Sequence, residues 1–129
     1  MSTNLLTVIG VACAGAVGAL ARYLVDGAVT ERTGGTFPWG TMVVNFTAAF
    51  LLGLAFAFFQ GRIGGVPVWV RTTIQTGLIG TYSTFSTLTL ETFNLIQSGS
   101  YLLAAANVFG SIAVGMVAVY GGTALGRWI

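Results

Sequence analysis

Charge is what this sequence has least of. Only 6% of its 129 residues are Asp, Glu, Lys or Arg, against roughly 25% in soluble domains. Hydrophobic residues make up 55%, and the mean hydropathy is +0.88. Five basic and three acidic groups cannot coat a folded domain, so lipid must cover most of it. Histidine is absent and Cys13 is the only cysteine. That removes imidazole bases, His-ligated metals, intrachain disulfides and paired-thiol metal sites. The acids Asp26, Glu31 and Glu91 are spread out, which argues against a carboxylate dyad or an acidic Mg²⁺ cage. No GxSxG, Walker A or GxGxxG run occurs. No enzyme is expected from this inventory, and no nucleic-acid partner. Lysine is also missing, and the basic groups are Arg22, Arg32, Arg62, Arg71 and Arg127. No basic region precedes the first apolar run, so a cleaved signal peptide is not expected.

What is present is apolar sequence in four stretches, each near the roughly 20 residues that a spanning helix needs. They run over about 5–25, 41–59, 68–97 and 101–125. The gaps carry turn signals: Thr33-Gly34-Gly35 before Phe37-Pro38, then Gly61 to Pro67, then Ser98-Gly99-Ser100. The expected fold is an all-α membrane protein, one four-helix domain over residues 1–129, with both termini on one side. The third and fourth spans should form an antiparallel hairpin. Ala14 and Gly18, and Gly122 and Gly126, sit four apart. Small residues at that spacing let helices approach closely in lipid, within the monomer or between subunits. Arg62, Arg71 and Arg127 lie on the side of the termini, and Arg32, with Arg22 if it reaches that interface, on the other. So small a bias hints at insertion in both orientations.

Polar groups inside a membrane are functional suspects. Asn45 sits one turn into the second span, where its amide can serve a pathway or link helices. Six of the ten residues Gly80 to Thr89 are Ser or Thr, and Gly77 and Gly80 precede the hydroxyl run. Hydroxyls compete for backbone hydrogen bonds, and the stretch is longer than one span requires. A break near 80–84 at mid-membrane follows. Freed carbonyls there can coordinate a cation, and freed N–H groups can face an anion. Arg22 can give a vestibule a positive field or pair with Asp26 one turn on. Glu91 fits a wet vestibule better than proton carriage. Asn107 and Ser111 share a face of the fourth span. A lining of amides, hydroxyls and aromatic edges suits a small ion stripped of water by neutral donors.

The combination Gly40-Thr-Met-Val-Val-Asn45, Gly77-Leu-Ile-Gly80-Thr-Tyr-Ser83-Thr-Phe85-Ser-Thr and Glu91 resembles the small bacterial fluoride channels of the Fluc, or CrcB, family. The resemblance covers essentially the whole chain. It implies an antiparallel dual-topology homodimer in the bacterial inner membrane, with two pores along the subunit interface. It implies passive export of cytoplasmic fluoride. Asn45 matches the pore asparagine, and Phe85 the first of two phenylalanines whose edges face the ion. Ser86 and Thr89 match hydroxyls of a polar track, Ser111 a fourth-helix serine, and Thr41 and Arg22 belong to the same pathway. A structural Na⁺ at the dimer centre is implied, held by backbone oxygens at positions matching Gly80 and Ser83.

The chain departs from the family at two places. Leu88 stands where the second phenylalanine is expected, and Gly115 where another hydroxyl is expected. The loss of a ring opens the alternative of one half of an obligate heterodimeric channel. The rival from another class is a small dual-topology proton-coupled multidrug exporter, for which Glu91 would be the essential carboxylate. A non-transporting assembly subunit is the third reading.

Overall fold

The computed structural model describes residues 4–62 and 65–129. Helix α1 spans Leu5–Thr33. Asn4 caps it, its side-chain oxygen accepting from the Leu6 N–H at 3.1 Å. It ends where Gly34 and Gly35 take positive φ, 57° and 82°. The helix therefore continues well beyond the apolar stretch that ended near Val25. Nothing stops it earlier, and the Thr33 hydroxyl donates back to the Val29 carbonyl one turn before. Helix α2 spans Trp39–Gln60 after Pro38. Part of the following loop, expected over Gly61 to Pro67, lies outside the described residues.

The third crossing is composite. A short α3, Val68–Thr72, opens into a π-helical segment, Thr73–Ile79, and then a single turn α4, Gly80–Tyr82. Ser83 and Thr84 are extended (φ −74°, ψ 160° and φ −149°, ψ 115°). Helix α5, Phe85–Gln97, resumes beyond them. The expected break is thus present, at two residues inside the hydroxyl run. The π-helical segment before it was not foreseen. Its residues alternate in no pattern that separates a π from an α turn, although π-bulges are frequent beside functional sites. Helix α6, Tyr101–Trp128, follows a tight turn at Gly99, φ 78°.

Helices α1, α2 and α6 are each long and apolar enough to cross a membrane unaided. The third crossing needs both of its halves. Helices α5 and α6 form the expected hairpin. Helix α2 lies parallel to α6, and α1 parallel to the third crossing, with α2 antiparallel to α5. Small residues set these contacts. A β-carbon at Gly18 would press on the Thr81 side chain and the Leu78 carbonyl. One at Gly122 would press on the Phe50 carbonyl, and one at Gly126 on the Leu54 carbonyl. The question of whether these glycines pack inside the monomer is answered: they do. Large apolar side chains such as Leu102, Met116, Val117 and Tyr120 are exposed, a surface suited to hydrocarbon. Exposed Trp39 and Tyr101 lie at one end of the bundle and Trp69 and Trp128 at the other, as interfacial belts do.

Candidate functional site

The site is built around the break. In an unbroken helix the Thr84 N–H would donate to the Gly80 carbonyl. Here it donates to Asn45 Oδ1 at 2.8 Å, while Asn45 Nδ2 donates to the Thr84 carbonyl at 3.0 Å. One side-chain amide on α2 thus replaces a strand-like backbone partner for Thr84. Thr84 then caps α5: its hydroxyl oxygen accepts from the Thr87 N–H at 3.3 Å and donates to Thr87 Oγ1 at 2.9 Å. Below the break, Tyr82 and Thr47 hydroxyls meet at 2.9 Å. The break is held by side chains on both of its flanks.

This arrangement faces a groove of about 670 Å³ between α2, the break, α5 and α6. Asn45, Phe85, Leu88, Thr89 and Ser111 line it, as do Gly80 and Ser83. Apart from Thr84 and Thr92 its other walls are apolar, including Ala48, Leu52, Ile112 and Val119. Phe85 is 79% exposed and stands free in the groove mouth. Asn45 has one amide hydrogen left after Thr84 is satisfied. The Thr89 hydroxyl donates to the Phe85 carbonyl at 2.8 Å, so it offers lone pairs rather than a hydrogen. Ser111 Oγ is buried and without a partner among the described residues.

Three residues of the pathway that the family resemblance implied lie apart from that lining. Thr41 is 1% exposed and donates to Glu91 Oε1 at 2.6 Å, joining α2 to α5 one turn above the groove. Ser86 is exposed on the first turn of α5, 3.5 Å from Thr84 Oγ1. Arg22 is half-buried on α1. The partner of Asp26 is the Thr30 hydroxyl, at 3.3 Å, rather than Arg22. Glu91 is tied to Thr41 rather than to Asn94 or Gln97 on its own helix.

Sequence reasoning gave no role to Thr84 or Thr92. Thr92 Oγ1 accepts from Asn107 Nδ2 at 3.1 Å and donates to the Leu88 carbonyl at 2.7 Å. Hydroxyl density marked the segment but could not say which hydroxyls meet which helix. Among the described residues no three His, Cys, Asp or Glu side chains converge on a metal-sized site. Any cation at the break would be held by neutral oxygens.

Comparison with known proteins shows the family of the chain. The family model described as CrcB-like protein, Camphor Resistance (CrcB), matches residues 9–123. A protein of Magnetococcus marinus named fluoride-specific ion channel FluC is 44% identical over 119 residues, 92% of this chain and 96% of its own. One from Frankia casuarinae, named fluoride-specific ion channel FluC 1, is 46% identical over 116 residues, 86% and 85% of the two chains. A FluC of Rhizobium meliloti is 38% identical over 117 residues, 91% and 93%. With three helices long and apolar enough to cross a membrane and this match over most of its length, the chain is a multi-pass membrane protein of the CrcB family.

Proposed function

We propose that this chain forms a fluoride-selective channel of the bacterial inner membrane, conducting passively and without enzymatic chemistry. The observation that carries the reading is the groove at the break. It gathers a free amide hydrogen of Asn45 and the exposed ring of Phe85 along one apolar surface, with the buried Ser111 hydroxyl, unpartnered among the described residues, behind them. Neutral donors of this kind can replace the water of a small anion without binding it too tightly to leave. The N-terminal end of α5 adds the positive end of its dipole beside them. Ring edges of Phe85 present partial positive charge. In this reading the groove is one wall of a pore, and a second, antiparallel copy of the chain supplies the other.

Sodium fits the same segment. The Gly80 carbonyl loses its helical donor to Asn45 and accepts, among the described residues, a 3.3 Å bond from Ser83 Oγ alone. Gly80 itself is exposed, and carbonyl oxygens freed at a helix break can coordinate a cation. Gly80 and Ser83 of each copy would hold the ion at the dimer centre. Its charge would pin the unwound segments together.

The proton-coupled exporter loses support from Glu91, which is bonded to Thr41 and does not line the groove. The heterodimer is kept open by Leu88, which lines the groove without a polar edge. Fluoride efflux from liposomes holding this chain alone, with chloride as control, tests the proposal. Fluoride release without chloride supports it.

A further inference from the structure

A second hollow, of about 460 Å³, opens between α2 and α6 at the end of the bundle where both helices finish. Gln60 and Arg62 reach it from the end of α2, and Thr123 and Arg127 from α6. Phe56, also on the exposed surface, forms an apolar wall. No Asp or Glu is among its described lining residues. The Arg62 guanidinium is held in place. It lies 4.0 Å over the Phe58 ring and donates to the Phe58 carbonyl at 3.4 Å and to Ile129 O at 2.6 Å. A guanidinium has five N–H donors, so others remain for a ligand. Arg127 makes no side-chain hydrogen bond among the described residues.

Two arginines lining one hollow of ligand size, with no Asp or Glu among its described lining residues, fit a multi-oxygen anion, a phosphate group above all. The position selects its source. The hollow sits at the rim where two spanning helices leave hydrocarbon, beside the exposed interfacial Trp128. Phe56 continues it toward the apolar surface, where a glycerol and acyl chain would lie. Basic pockets between membrane helices recognise lipid headgroups in this way. We propose that Arg62 and Arg127, with Gln60, bind the phosphate of an anionic phospholipid in this hollow.

The test reconstitutes the full chain into phosphatidylcholine bilayers doped with phosphatidylglycerol. Lipids retained after detergent extraction are then counted by native mass spectrometry. The protein is expected to retain phosphatidylglycerol over phosphatidylcholine. In R62Q/R127Q that preference should fall roughly thirty-fold. R62K/R127K keeps every charge, and with it the insertion bias. Its preference should fall between the two, because an ammonium lacks the planar fork. Monodisperse elution of each variant reports folding independently of transport. Equal retention of the two lipids, or an undiminished preference in R62Q/R127Q, overturns the proposal. So does binding of inorganic phosphate with no preference for phosphatidylglycerol, which would make the hollow a free-anion site. Neither arginine lines the groove at Asn45. Failure here therefore leaves the channel reading standing, and failure of the channel reading leaves this one standing.

Discussion

Helices α2 and α6 meet where side chains are missing, whereas α2 and α5 meet where a side chain stands in for backbone. At the first contact Gly122 and Gly126 bring α6 onto the Phe50 and Leu54 carbonyls of α2. Packing alone holds that seam, as it must between helices in lipid. At the second contact Asn45 pairs with both backbone groups of Thr84, and Thr41 donates to Glu91. The first kind of contact makes a sealed wall. The second keeps an unwound segment in place without a continuous helix, and so leaves carbonyls and amide hydrogens beside a groove. A rigid seam thus carries the scaffold, and a hydrogen-bonded one carries the chemistry.

The comparison can be broken most severely at Asn45. Asn45→Asp keeps an acceptor for the Thr84 N–H but sets an oxygen against the Thr84 carbonyl. Fluoride efflux should fall at least a hundred-fold, with a stability loss of about 2 kcal/mol from the unpaired groups. Gly122→Leu attacks the other seam and drives a side chain into the Phe50 carbonyl. It should cost about 3 kcal/mol and show first in thermal unfolding, with efflux lost only as the protein unfolds. Thr41→Val weakens the hydrogen-bonded seam a turn away from Asn45. It strips Glu91 Oε1 of its donor, and Glu91 Oε2 is already buried without a partner among the described residues. A loss of about 2 kcal/mol is expected in unfolding measurements. Glu91→Gln retains an oxygen for Thr41 and should leave fluoride efflux within about ten-fold of the parent, the span of roughly one modest hydrogen bond. Complete loss in that variant would favour a carboxylate-driven exporter. The smallest effect belongs to Leu88→Phe. A ring there has groove to occupy, and efflux should be kept or raised a few-fold.

The two seams also differ in how far they can be read from sequence. The four apolar stretches and the break are local properties. Gly80, six hydroxyls in ten residues and an overlong third span announce them without any knowledge of neighbours. The glycine spacing announced close approach but not its partner, because Gly122 looks the same whether it meets Phe50 of its own chain or a second subunit. The hydrogen-bonded seam was hidden more deeply. Asn45 and Thr84 are 39 residues apart, and Thr41 and Glu91 are 50 apart. No periodicity links such pairs. Their roles come from which face of α2 meets α5, and that depends on the packing of the whole bundle. The extent of α1 was missed for a different reason. Hydropathy marks where lipid ends, while the helix itself stops at the first residues with positive φ, Gly34 and Gly35.

The most direct measurement is ion efflux from liposomes containing only this chain. Rapid release of fluoride with chloride retained is the predicted result. It would show that one kind of chain builds the pathway with Leu88 in place. Retention of fluoride by vesicles in which the protein is shown to be folded and inserted would contradict the account.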